Sequence, residues 1–304
     1  MFPSEVDTQA GVNALERAKT WPGWRNLLTK AEVRKNRDGK ITIDRVTIVM
    51  PCAQWLLGEY GEFLIIDCTF KLTVYVGRYT IVISVIDRYG HVHPVVIADV
   101  PGHREEDWLK AFNDAYDMVM LQVKLLPISK LLHKPKTAFL MRDGEGAIAL
   151  AWRKSKWPQT LESGECCTHG KWNNQKQKMA NGQRFGPDRG KVWYGLVFAT
   201  CYQSFMDRAS EIMAMWEAKG DHAGAQHLLK LVKNSRAPLF RWDPYPAPGI
   251  SSQGSETANQ LIKKSPKDGT RRQKLTFLQF ARTVVTCEGG LCVSPATCLC
   301  TCNL

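Results

Sequence analysis

Three acids stand where carboxylates could share a divalent metal: Asp67, Asp143 and Glu256. Asp67 directly follows the apolar run Phe63-Leu64-Ile65-Ile66, the pattern of a strand buried on both faces. A carboxylate there is costly to bury unless something pairs with it, and a divalent metal would do so. Asp143 repeats the arrangement: Lys136 to Met141 reads as a short strand, then comes Arg142-Asp143-Gly144, then a helix from Gly146 to Lys154. Glu256 falls in the first turn of a helix that the Ser/Gly-rich stretch Ser251 to Ser255 can cap. The gaps between the acids are 76 and 113 residues. Each acid also has an ordinary reading, as a turn cap or a first-turn acid that suits the helix dipole.

The elements that must position these acids follow from periodicity. Residues 1–60 read as a helical lead-in: a helix around Thr8 to Lys19, a break at Pro22-Gly23, a polar turn at Arg34 to Lys40, and an apolar helix from Met50 to Tyr60. Trp55, Leu56 and Leu57 of that helix would face the core. Three strands are expected next, at Glu62 to Phe70, Tyr79 to Asp87 and Val92 to Val100. Asp87-Arg88-Tyr89-Gly90 makes a hairpin turn between the last two, which is a better account of Asp87 than a fourth metal ligand. Pro94 implies an exposed edge or an early position in its strand. Arg104 to Leu126 is an amphipathic helix with Trp108, Ala111, Phe112, Ala115, Met118, Val119 and Val123 on one side. The resulting β-β-β-α-β-α order over residues 61–165 is the opening of a ribonuclease-H-like mixed α/β sheet. Residues 166–250 break that order as an all-helical insertion, with amphipathic segments at Trp193 to Lys219 and Asp221 to Ser235. A final catalytic helix in 251–283 would complete the core, and 284–304 form a Cys-rich tail.

With these residues in view, the sequence resembles the Mutator-like element (MULE) transposases over roughly residues 45–280. The carriers are FLIIDCTFKL, YTIVISVIDRYGHVHPVVIADV, the helix with Trp108, FLMRDGEGAIALA, CCTHGKWNN and SETANQLIKK. The ordered combination with Cys166-x-x-His169 and Glu256-x-x-Asn259 is the most specific part. The resemblance implies a D-D-E triad of Asp67, Asp143 and Glu256 that binds Mg²⁺ or Mn²⁺ in a ribonuclease-H-like core. Two ions roughly 4 Å apart would serve metal-assisted phosphoryl transfer on DNA. It also implies a Cys/His motif, Cys166 and His169, at the start of the insertion, for which a structural role is preferred to zinc binding; Cys167 could replace Cys166. Transposon ends and target DNA are the implied partners, with a homo-oligomer expected. A non-catalytic DNA-binding protein of transposon origin is the alternative, and an unrelated ribonuclease-H-like nuclease a third.

Charge agrees with a polyanion partner. The net charge is +12, and two segments account for it: residues 153–191 with nine Lys/Arg against three Asp/Glu, and 263–282 with seven against one. No apolar run reaches the roughly 18 residues of a membrane span, and the N-terminal stretch has no signal-peptide core. The expectation is an intracellular protein, nuclear in a eukaryote and cytoplasmic otherwise. The ten Cys would then be thiols or metal ligands. Cys298-x-Cys300-x-Cys302 in the tail could hold zinc, though the tail has no His. Glu145 suits the dipole of the helix that follows it. The Trp residues at 152, 157, 172, 193, 216 and 242 could stack on bases, but core packing is the commoner use.

Overall fold

The computed structural model describes residues 5–21, 26–35, 39, 41–70, 73, 77–87, 89, 91–125, 139–142, 146–158, 162–165, 196, 202–233 and 277–286. The fold is mixed α/β, and the chain forms two compact units. The first comprises residues 1–138, 145–161 and 254–304; the second comprises 139–144 and 162–253. Among the described residues no helix is long and apolar enough to cross a membrane.

The first unit begins with α1 (Glu5–Ala18), followed by β1 (Leu28–Lys35) and β2 (Ile41–Val49). Here the expected helical lead-in over residues 1–60 is corrected. Among the described residues of that stretch α1 and α2 (Ala53–Tyr60) are helical, and β1 and β2 between them pair as an antiparallel hairpin that joins the sheet. The reason is alternation. Along β2 the polar Arg45 and Thr47 alternate with the apolar Val46 and Ile48, and Arg45, across from Glu32 of β1, reaches Asp114 on a helix. Of the polar turn expected at Arg34 to Lys40, Arg34 and Lys35 instead end β1, paired with Thr42 and Ile41, and Gly39 has φ +78°; residues 36–38 and 40 lie outside the described residues.

Helix α2 leads into β3 (Phe63–Phe70) through Gly61, whose N–H donates to Leu57 O at 3.0 Å. A Cβ at Gly61 would lie 2.1 Å from that same carbonyl oxygen, so only glycine allows so close a closure. Strands β4 (Tyr79–Ile86) and β5 (Val92–Val100) follow, and the unit's sheet runs β1-β2-β5-β4-β3 with every pair antiparallel. Strand β5 is central, between β2 and β4, so Pro94 marks an early position rather than an edge. It sits opposite Ser84, next to a register irregularity that accommodates its missing N–H.

Helix α3 (Glu105–Leu125) crosses one face of this sheet and α4 (Gly146–Lys154) packs on α3. Lys30 and Arg45 reach Asp114 of α3 from that face. Between α3 and α4 lies an aromatic cluster. Trp152 and Trp157 stack with ring centres 5.4 Å apart, Phe112 meets Trp152 edge-on at 5.4 Å, and the Trp157 indole N–H donates to Phe112 O at 2.9 Å. The other face carries α1: Glu16 accepts a hydrogen bond from Thr29, whose partner across the hairpin is Ile48. Helix α7 (Phe277–Thr286) packs on α1, and its Leu278 N–H donates to the Asp7 carboxylate at 3.1 Å.

The second unit holds β6 (Phe139–Arg142), β7 (Glu162–Glu165), α5 (Tyr202–Ala218) and α6 (His222–Lys233). Strands β6 and β7 pair in parallel. The insertion expected over 166–250 does contain two helices where periodicity put them. They share a core of Leu196, Phe205, Ala209, Trp216, Ala225 and Leu228. Their junction is a Schellman turn: Asp221 N–H donates to Trp216 O at 2.8 Å and Gly220 N–H to Glu217 O at 2.9 Å, with Gly220 at φ +75°. Asp221 then caps α6, accepting from Gly224 N–H at 3.1 Å.

Candidate functional site

Strand β3 delivers Asp67 to the interior of the sheet. Its cross-strand partner is Val82, and Cys68, Thr69 and Phe70 continue the strand beyond it, opposite Ile81, Thr80 and Tyr79. The acid therefore lies inside the strand rather than at its end. It is 2% exposed. Paired residues of an antiparallel sheet share a face, and alternate residues along a strand share it too. Asp67, Val82 and Ile97 form one such row, and Thr69, Thr80 and Asp99 the next. One face thus carries two carboxylates and two hydroxyls, all buried. Of these, Thr69 Oγ1 and Asp99 Oδ1 have no hydrogen-bond partner among the described residues.

Asp99 is held by Arg78, which enters just before β4. Nε donates to Asp99 Oδ2 at 2.5 Å, while the terminal nitrogens donate to Ile43 O at 3.1 Å, Asp44 O at 3.2 Å and Asp99 O at 3.3 Å. Burial pushes the Asp99 carboxyl above the ordinary carboxylate range, against the opposing pull of the Arg78 guanidinium. Sequence reasoning missed Asp99. The signal was there, a lone acid inside the apolar strand VVIADV, the same signature that singled out Asp67.

Asp143 and Glu256 lie outside the described residues, as do Cys166, His169, Cys167, Glu145 and the Cys-rich tail. Arg142, immediately before Asp143, is buried at the end of β6. Of the six tryptophans considered for base stacking, Trp152, Trp157 and Trp216 are buried in the two cores; Trp172, Trp193 and Trp242 lie outside the described residues.

Asp87 occupies the hairpin turn expected for it. Its N–H donates to His91 O at 2.9 Å, and its Oδ1 accepts from the N–H groups of Tyr89 at 2.8 Å and His91 at 2.9 Å. Two histidines that sequence reasoning passed over converge on the other oxygen. His91 Nδ1 is 3.1 Å and His93 Nε2 is 3.0 Å from Asp87 Oδ2. Burial pushes the carboxyl up, but the hydrogen bonds from His93, His91 and Tyr89 outweigh it and hold it at about 2. The clue was the alternation His91-Val92-His93 beside a turn acid, which puts both rings on one side of an extended chain.

Comparison with known proteins adds no family: no family model matches the chain, and no curated protein matches it either.

Proposed function

We propose that the chain is the catalytic domain of a DNA transposase of Mutator-like type, cutting and joining DNA strands through Asp67, Asp143 and Glu256. The observation that carries the reading is Asp67 itself, a carboxylate buried in the middle of an apolar strand. A buried ionisable group in a strand is a candidate for a functional site. The element run β3-β4-β5-α3-β6-α4 supports it, as does the helical region that follows in sequence. On this reading the core is ribonuclease-H-like. The N-terminal hairpin β1-β2 would then be an extension on the far side of β5.

The Asp67 carboxylate is a hard oxygen donor suited to Mg²⁺ or Mn²⁺. Bound there, the ions would supply charge stabilisation for an in-line displacement at phosphorus. The three acids hold the site in place, and water or a 3′-hydroxyl attacks, so no side-chain nucleophile is needed. The basic segments 153–191 and 263–282 hold the DNA phosphates. Asp67→Asn tests the reading: metal-dependent nicking of duplex DNA disappears, and Mn²⁺ binding measured by calorimetry weakens both in this variant and in Glu256→Gln. Nicking that survives Asp67→Asn overturns the assignment. DNA binding without cleavage in either Mg²⁺ or Mn²⁺ replaces it with a transposon-derived regulatory protein.

A further inference from the structure

The turn between β4 and β5 carries chemistry that the triad does not use. We propose that Asp87, His91 and His93 form a second metal site, taking a borderline divalent transition ion such as Zn²⁺ through one carboxylate oxygen and two imidazole nitrogens. Their ligand atoms all lie within 4.8 Å of one another, with both ring nitrogens at 3.0–3.1 Å from the same carboxylate oxygen. Zinc bonds of about 2.0–2.1 Å in a tetrahedron set neighbouring ligand atoms about 3.3–3.4 Å apart. The two imidazole–carboxylate distances therefore need to lengthen by only a few tenths of an ångström, and the two ring nitrogens, within 4.8 Å of each other, to settle at the same spacing.

Its second layer is already built. The Oδ1 atom of Asp87 is fixed by two backbone N–H donors, which leaves Oδ2 turned to the histidines. A ligating carboxylate whose other oxygen is pinned in this way is a recurring feature of protein metal sites. The His93 side chain is mostly buried, whereas His91 is 71% exposed. Three protein ligands leave one tetrahedral position open, and the exposed His91 side is where water or an anionic ligand would approach.

The site is distinct from the triad. Asp67 pairs with Val82, and Asp87 lies five residues further along the same chain. At about 3.3 Å per residue that separation is roughly 16 Å, too far for one ion or a two-metal pair. The ligand sets also differ, hard oxygens in one case and imidazole nitrogen in the other.

Cobalt titration of the metal-free full chain tests the proposal. A site of two nitrogens and one oxygen gives the visible bands of four-coordinate Co²⁺ without the near-ultraviolet thiolate band that a cysteine site adds. The wild type should take up one such equivalent and release it to Zn²⁺. His93→Ala and Asp87→Asn should lose it, and His91→Ala should weaken it by roughly tenfold or more. His91 is exposed, so its variant keeps the fold, as far-ultraviolet dichroism and the melting temperature would verify. Asp67→Asn should leave this signal in place, so failure of the triad and failure of the turn site are read separately. A wild type without this equivalent, or a His91→Ala/His93→Ala variant that binds it unchanged, overturns the proposal.

Discussion

Arg78 and Asp99 form an ion pair sealed from solvent: their side chains are 1% and 2% exposed, and Nε to Oδ2 is 2.5 Å. The same guanidinium donates to the Ile43 and Asp44 carbonyls of β2, so one side chain ties β2, β4 and β5 together. Removing one partner leaves the other charged and buried. Arg78→Met should therefore cost about 3–5 kcal/mol in urea unfolding. The double variant Arg78→Met/Asp99→Leu should recover much of that loss, because no orphan charge remains. Costs that simply add would show that the two groups act independently.

Asp114 is a milder case of the same physics. Its Oδ2 accepts from Arg45 Nε at 2.8 Å and Nη2 at 2.7 Å, and Lys30 Nζ lies 2.5 Å from Oδ1. Glu32 also bonds Arg45 at 2.8 Å, so Arg45 keeps a counter-ion when Asp114 is lost. Asp114→Ala should cost about 2–4 kcal/mol, less than breaking the Arg78 pair. A loss equal to or above the Arg78→Met value would show that Glu32 does not compensate.

Trp157 joins packing to a hydrogen bond. Trp157→Phe keeps most of the apolar bulk but leaves Phe112 O without its indole donor, for a loss of about 1–2 kcal/mol. Trp157→Ala also opens a cavity beside Trp152, and its loss should be about 3–5 kcal/mol. Thermal melts of the two variants, compared with wild type, should keep this order.

At the α5–α6 junction the backbone alone sets the cost. A Cβ on Gly220 meets nothing within 4 Å, yet φ is +75°. Gly220→Ala should lose about 1–2 kcal/mol from the left-handed conformation, and Asp221→Ala about 1 kcal/mol from the α6 cap. Chemical denaturation followed by far-ultraviolet dichroism would report both. A Gly220→Ala variant as stable as wild type would mean that the turn re-forms in another conformation.

The parts of the fold that were legible in the sequence are those where burial imposes a strong period. Strands β3, β4 and β5 and helices α3 and α4 begin and end within two residues of the expectation. Strand β1 escaped because Lys30, Glu32, Arg34 and Lys35 make it look like a solvated loop; Lys30, Glu32 and Arg34 find partners on β2 and α3, and Asp114 of α3 lies 84 residues from Lys30. Strand β7, Glu162-Ser163-Gly164-Glu165, has no strand propensity, and its parallel pairing with β6 makes it one. Asp67 was legible because an acid beside four apolar residues is conspicuous. Asp99 acquires its meaning from Arg78, 21 residues earlier, and the His91/His93 pair from the way the turn folds Asp87 back on them.

The bond between Asp7 and Leu278 sets a timetable for biosynthesis. Leu278 N–H belongs to the first turn of α7, so a carboxylate on the first helix caps the last helix described. The two residues are 271 positions apart. At about 5–20 residues per second, a ribosome needs roughly 15–55 s between them. Throughout that interval α1 has emerged while the helix that packs on it has not. Until then the surface of α1 that α7 covers stays open, the kind of transient exposure through which nascent chains aggregate.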